Sequence, residues 1–313
     1  MERKIIIDCD PGIDDAVALT AALFDPRINV LAVTATAGTV KADLATSNVG
    51  AIISTLDPPL YPRIGKASPP DDASVTNDKF LNGAHGLGDF SAGVTERQHT
   101  PNSEKVIAEL LRQYPGEITL VCLGPLTNLA RLYQRDPAVI TLIDKVVISG
   151  GAYRAAGNAT PVAEFNLHFD PVAASDVFAS PTTKSLLPLD VTSKIAFGLE
   201  LLDQLPPEST AAGTLLRQIL PYAFRVAHQR LGRELLPLQD ATTIAAVVEP
   251  ELFEWSEMAG RVETDGTLTR GMCVFDRRLR PEWNVNMEVA VAADVEVVKR
   301  SVLRSLRFAG QHS

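Results

Sequence analysis

Through the first 190 residues, short runs of uninterrupted apolar residues alternate with stretches of helical periodicity. Residues 4–9 (KIIIDC) read as a strand, 14–24 as a helix, 28–36 as a strand and 41–56 as a helix. A strand follows at 117–122, a helix near 126–134, and strands at 145–149 and 184–189. A half-buried strand alternates apolar and polar residues, because successive side chains point to opposite faces. These strands do not alternate, so both faces are covered, the condition of a parallel sheet with helices above and below. The pattern predicts an α/β fold with a parallel sheet covered by helices on both faces. Such sheets bind ligands beyond the carboxyl ends of their strands, so function is sought just after each strand.

No tandem repeat, low-complexity tract or linker divides the chain, and residues 1–313 read as a single domain, long enough for a large core. Residues 65–101 are polar and loop-like, with SPPDD at 68–72 and NGAHGLG at 82–88. A loop that long in a compact domain is often functional. Residues 198–233 read as helical, with Pro206-Pro207 dividing a short helix from a long one, and 294–308 as a last helix. Residues 251–275 read as a hairpin turning at Asp265-Gly266. The net charge of −9 argues against nucleic acid or an anionic membrane as partner. No run of 18 apolar residues marks a membrane span, and the apolar stretch after Met-Glu-Arg-Lys is too short for a signal peptide. Cys9, Cys122 and Cys273 are isolated and odd in number, which fits neither a disulfide framework nor a zinc site and suits a reducing cytoplasm.

The first strand ends in an acidic turn, DCDPGIDDA at 8–16. Asp14 and Asp15 fall in the first turn of the following helix, where free N–H groups and the macrodipole favour negative charge. Capping accounts for one or two carboxylates. It does not account for Asp8, Asp10, Asp14 and Asp15 together, because each raises the cost of ionising the next. A cation removes that cost, and calcium takes six to eight oxygen ligands. Asp10 at the strand end and Asp15 at the helix start are placed to flank one ion. Asp14, about 100° round the helix, faces a ligand beside it. The spacing is not that of an EF-hand loop, and no Thr stands two places after Asp10 as in a DxDxT phosphatase.

That turn resembles the signature of the inosine-uridine preferring nucleoside hydrolases, and three further stretches agree in order and spacing. LGPLTNLA at 123–130 is similar to the family's next landmark, GNATPVAEFN at 157–166 to its ribose-binding stretch, and QDATTIAA at 239–246 to its late His-Asp-Ala. The resemblance implies the α/β open sheet, mostly parallel and flanked by helices, with its site at the strand carboxyl ends. It implies a calcium-dependent hydrolysis of ribonucleosides to ribose and free base through an oxocarbenium-like transition state. Asp10 would ligate calcium and act as general base on the water. Asp15 and Asp240 would be further ligands, with Asp240 also touching the sugar, and the backbone carbonyl of Leu123 would complete the protein's share. Asp14, Asn158, Glu164 and Asn166 would hold the ribose hydroxyls, and Asp8 would support the site from behind. Family members are commonly homodimers or homotetramers. Taken singly, Asn158 and Asn166 also read as turn residues, Asp240 as the N-cap of helix 241–248, and GPLTN as an ordinary strand-to-helix turn. Glu164, between Ala163 and Phe165, is costly unless partnered.

Three departures fall on the side that meets the leaving base. Gln239 stands where many members carry His, and Gln has no titratable proton to give. Asn82-Gly83 replaces a His-Gly, and Gly38-Thr39 replaces a Gly-Asn. The resemblance therefore implies calcium and ribose binding with a base specificity of its own. His228, on the helix leading to Asp240, and His85, in the Gly-flanked loop, are candidate replacement acids; His168 reads as structural. The competing reading is a ribosyl-binding or sensing protein on the same scaffold, which the retained Asp10 disfavours, since binding alone needs no general base.

Overall fold

The computed structural model describes residues 2–71, 79–90 and 99–313. The chain runs β1 (Arg3–Cys9), α1 (Ile13–Leu23), β2 (Ile28–Ala35), α2 (Ala42–Leu56), β3 (Arg63–Gly65), α3 (Lys79–Asn82) and α4 (Ser103–Gln113). It continues through β4 (Ile118–Cys122), α5 (Thr127–Arg135), β5 (Ile143–Ser149), α6 (Phe165–Phe169), α7 (Pro171–Ala179), β6 (Lys184–Leu187) and α8 (Leu189–Thr192). Then come β7 (Ala196–Phe197), α9 (Glu200–Gln204), α10 (Ala211–Leu231), β8 (Leu236–Pro237) and α11 (Gln239–Val248). The last elements are β9 (Phe253–Met258), β10 (Gly260–Val262), β11 (Cys273–Phe275), β12 (Met287–Ala293) and α12 (Val295–His312).

Eight strands form one sheet in the order β3-β2-β1-β4-β5-β6-β12-β9. Every pairing is parallel except that of β12 with the edge strand β9. The isoleucines of β1 explain why its apolar run is unbroken. Ile5 and Ile7 enter the core beneath α1, α2, α10, α11 and α12, while Ile6 enters the opposite core beneath α4, α5 and α7. The sheet is thus buried on both faces, and the expected open, mostly parallel α/β architecture is what forms.

From β1 the chain builds outward through β2 and β3 on one side, then through β4, β5 and β6 on the other. The order reverses between β1 and β4, so the loops after these two strands diverge above and below the sheet and leave a crevice at their carboxyl ends. Asp10 follows β1 and Leu123-Gly124 follows β4.

One expectation needs correction, and several elements were not foreseen. The segment 251–275 is not one hairpin. Phe253–Met258 pairs with β12 in the main sheet, and only β10 and β11 form an antiparallel ribbon, with Asp265-Gly266 in the loop between them. β12 and the helices at 103–113 and 165–179 went unread. β12 (MEVAVAA) is short and alanine-rich, and what makes it a strand is the company of β6 and β9. Pro206-Pro207 does separate the short α9 from the long α10. Of the loop-like stretch 65–101, residues 72–78 and 91–98 lie outside the described residues.

Candidate active site

The crevice opens into a cavity of about 440 Å³, the size that suits a small organic ligand. Its floor begins with Asp10. The Oδ2 atom accepts from the Thr39 backbone N–H at 2.6 Å, so the loop after β2 fixes the carboxylate from the side. Two glycines leave it room. A Cβ on Gly38 would stand 2.2 Å from Asp10 Oδ2, and one on Gly124 2.5 Å from Oδ1. Glycine at both positions is thus a packing requirement of the carboxylate.

Asp15 is divided between two tasks. Its Oδ2 accepts from the Gly12 N–H at 2.9 Å and caps its own helix, as the capping reading of the turn expected. Its Oδ1 is buried and has no hydrogen-bond partner. Asp14 caps a different helix. Its Oδ2 accepts from the backbone N–H groups of Gln239 at 2.6 Å and Asp240 at 3.1 Å, which are the first turn of α11. α11 starts at Gln239, so Asp240 lies inside the helix and is not its N-cap. The side chain of Asp240 turns to the cavity, its Oδ1 held by the Ser149 hydroxyl at 3.0 Å. Residues 225 positions apart are joined in this way at one point.

The ribose-like stretch builds the next wall. Glu164 is nearly fully buried and partnered as expected. Its carboxylate accepts from Asn166 N, Gly151 N and Leu167 N, which makes it the N-cap of α6. Asn166 Nδ2 donates to the carbonyls of Leu123 at 2.7 Å and Ser149 at 3.0 Å, tying the ends of β4 and β5 together. Asn158 Oδ1 accepts from Phe165 N at 2.8 Å, which leaves its amide NH2 free to donate. Asp14, Asn158, Glu164 and Asn166 all line the cavity together with Asp10, Asp15, Leu123 and Asp240. Asp8 lies beneath. Its Oδ1 accepts from the Thr34 hydroxyl at 2.6 Å and Asn128 Nδ2 at 2.8 Å, a supporting placement.

The electrostatics of this floor are strained in one direction. Burial pushes Asp14 up to about 7, Asp15 to about 6 and Asp8 to about 7, and Asp10 and Asp240 well above the carboxylate range. The negative charge of Asp15 raises Asp10 further, and that of Asp14 and Asp15 raises Asp240. A divalent cation would reverse each of these effects. Among the described residues no three acidic, thiol or imidazole side chains are already drawn together as a complete cage. The donor chemistry nevertheless fits a hard cation. It offers carboxylate oxygens from Asp10, Asp15 and Asp240, the unpartnered Asp15 Oδ1, and the second lone pair of the Leu123 carbonyl.

The opposite wall is apolar. Ile13, Leu81, Phe165, Val226, Ala227 and Leu236 contribute to it, with Asn82, Thr39 and Gln239 as its uncharged polar members. Asn82 Oδ1 accepts from Ile13 N at 2.9 Å and so caps α1 from the end of α3. The two candidate acids are not in this wall. Ala223, Val226 and Ala227 give the face of α10 that meets the cavity. His228 is one step further round, its side chain 66% exposed, with Nδ1 3.2 Å from Glu234. His85 is exposed and does not line the cavity, and its carbonyl accepts from Asn48 Nδ2. His168 bonds the Arg270 carbonyl and is structural, as expected.

Sequence reading missed Ser149, the glycines that make room for Asp10, and the cross-chain cap by Asp14. The Gly38 and Gly124 signals were visible as glycines directly after β2 and β4. Ser149 had no signal, because a serine at a strand end has many possible uses.

A family model described as inosine-uridine preferring nucleoside hydrolase matches residues 5–300. The chain is 36% identical over 313 residues to the pyrimidine-specific ribonucleoside hydrolase RihA of Salmonella schwarzengrund, covering 98% of this chain and 99% of that one. It is 33% identical to uridine nucleosidase 1 of Arabidopsis thaliana, covering 97% and 93% respectively. Among solved structures it is similar to a purine-preferring ribonucleoside hydrolase from Gardnerella vaginalis, with TM-score 0.91, 26% identity, and 99% and 100% of the two chains covered. A plant nucleoside hydrolase, PpNRh1, aligns with TM-score 0.89, 27% identity, and 98% and 99% covered.

Proposed function

The chain belongs to the inosine-uridine preferring nucleoside hydrolase family and is an N-glycosyl hydrolase of ribonucleosides; from that premise we propose that it works with calcium, through Asp10 as general base. Calcium would be held by Asp10, Asp15, Asp240 and the Leu123 carbonyl. When bound, it would gather two ribose hydroxyls and the attacking water and offset the carboxylate charge.

The chain's own groups do the rest. Asp10, locked by Thr39 N and by the close approach of Gly38 and Gly124, would take the proton of the water. Asp14, Asn158, Glu164 and Asn166 would orient the ribose hydroxyls. Their carboxylates would favour the positive charge that spreads over C1′ and the ring oxygen in the transition state. The base would lie against the apolar wall of Leu81, Phe165, Val226 and Leu236, which excludes water from its faces. The relatives named for pyrimidine ribonucleosides and uridine support a pyrimidine ribonucleoside as substrate. The assembly is proposed as a homodimer or homotetramer, to be read by light scattering.

The observation that carries this reading is the buried, unpartnered Oδ1 of Asp15 among carboxylates drawn from both ends of the chain. The test is reducing-sugar release from a panel of ribonucleosides with calcium, with chelator, and with Asp10→Ala. Release that both chelator and the substitution lower by at least about a thousandfold is expected, since base and metal act as one unit. Release that survives chelator would remove calcium from the mechanism.

A further inference from the structure

Breaking an N-riboside sends the bonding electron pair into the departing base. That pair is accommodated by a proton or by a nearby positive charge. The base-facing wall offers no proton donor of ordinary strength: among the described residues it carries no imidazole, and the five lining carboxylates belong to the sugar-facing floor. One lining side chain is cationic, Arg233.

Arg233 is placed by the end of α10. Gly232 adopts a left-handed conformation with φ of 62°, and Arg233 N donates to the Ala227 carbonyl at 3.0 Å, the closure of a Schellman motif. Ala227 itself lines the cavity, so the arginine is tethered to the wall it rises from. Its side chain is exposed at the cavity mouth and forms no ion pair among the described residues. The neighbouring acid, Glu234, is taken by His228. Among the described lining residues no other side chain is cationic. The carbonyl terminus of α10 carries partial negative charge, and the free N–H groups of α11 are already spent on Asp14.

Building on the hydrolase reading above, we propose that Arg233 stabilises the leaving base as an anion, with a uracil-type base as the test case. The water oxygen bonds to C1′ and its proton passes to Asp10. The C1′–N1 bond breaks with its electron pair going to N1. The charge spreads onto the ring carbonyl oxygens, which face the guanidinium, and the base takes its proton from solvent after release. Amino-substituted bases spread that charge poorly and depart slowly without a proton, so cytidine and adenosine are the poorer substrates.

The experiment compares the full-length protein with Arg233→Gln and Arg233→Lys on uridine, cytidine and 4-nitrophenyl riboside in calcium, with Asp10→Ala as control. Because the site is open to solvent and screened, the expected loss of kcat on uridine for Arg233→Gln is about 10–100-fold, with KM little changed. On nitrophenyl riboside, whose phenolate leaves unaided, the loss is about threefold or less, and Arg233→Lys recovers most of the uridine rate. The unsubstituted protein should favour uridine over cytidine. Equal losses on uridine and nitrophenyl riboside, an unchanged uridine rate, or a loss in KM alone that Lys does not rescue would overturn the role of Arg233 and leave the hydrolase site standing. No cleavage of nitrophenyl riboside by the unsubstituted protein would bring down the site reading itself, and this role with it.

Discussion

At the residue scale the site depends on atoms that are absent as much as on those present. Gly38 and Gly124 let Asp10 stand where any side chain would push it away. Gly38→Ala places a methyl 2.2 Å from a carboxylate oxygen and 2.8 Å from the Cβ of Asp10, so the whole Asp10 side chain and the backbone beside it must shift. A displacement of about 1 Å costs about 100-fold in rate. The expected result is a loss of at least that order in kcat, together with a lowered thermal transition; an unchanged kcat would show that Asp10 does not depend on the room Gly38 leaves. Ser149 acts on Asp240 through one hydrogen bond. Ser149→Ala removes it without changing volume much, and calcium affinity should fall by about 10–100-fold in a calorimetric titration. An unchanged affinity would mean that Asp240 is held by Asp14 and its helix alone.

Between elements, helix starts carry the site. α1 is capped by its own Asp15 and by Asn82 at the end of α3, α6 by Glu164, and α11 by Asp14 of α1. Each cap is also a cavity residue, so the same bonds that end a helix aim a functional group. The long α10 supplies the apolar wall, and its own start is tightly built. Thr210 caps it, and a Cβ on Gly213 would stand 1.9 Å from the Pro207 carbonyl oxygen. Gly213→Ala gains about 1 kcal/mol of helix propensity. The overlap is with backbone that cannot swing aside, at a cost of about 2–3 kcal/mol, so the clash wins. Urea unfolding should show net destabilisation; a gain would show that the Pro206-Pro207 turn yields. The candidate histidines fail at this scale too. A helix gives neighbours 100° of separation, and His228 falls off the stripe that Ala223, Ala227 and Leu231 present to the cavity.

Across the whole molecule, the buried carboxylates couple stability to pH and to cation. Unfolded, an aspartate titrates near about 3.9. Folded and metal-free, Asp15 is raised to about 6 and Asp14 and Asp8 to about 7. The folded chain then holds protons that the unfolded chain has released, so stability falls as pH rises between about 4 and 7. In chelator the melting temperature should be higher at pH 5 than at pH 8. Calcium, which takes the ionised forms, should raise it at pH 8 and shrink the difference. A chelated protein that melts higher at pH 8 would show that its carboxylates do not feel their burial. Among the described residues no helix is long and apolar enough to cross a membrane.

The sequence by itself determined the sheet, because an unbroken IIIDC strand is stable only when helices cover both of its faces, and that pattern is local. It also determined the acidic floor, since four aspartates within eight positions need a common reason to ionise together. What only the tertiary structure decided was the placing of groups distant in the chain. Asp14 meets the start of α11, Ser149 meets Asp240, and β12 finds its strands on either side. It also decided the base side, sending His228 and His85 to solvent and leaving Arg233 at the mouth. The physical reason is that periodicity reports which face of an element is buried, while the direction of a single side chain at an element's end depends on the neighbour that arrives from elsewhere in the chain.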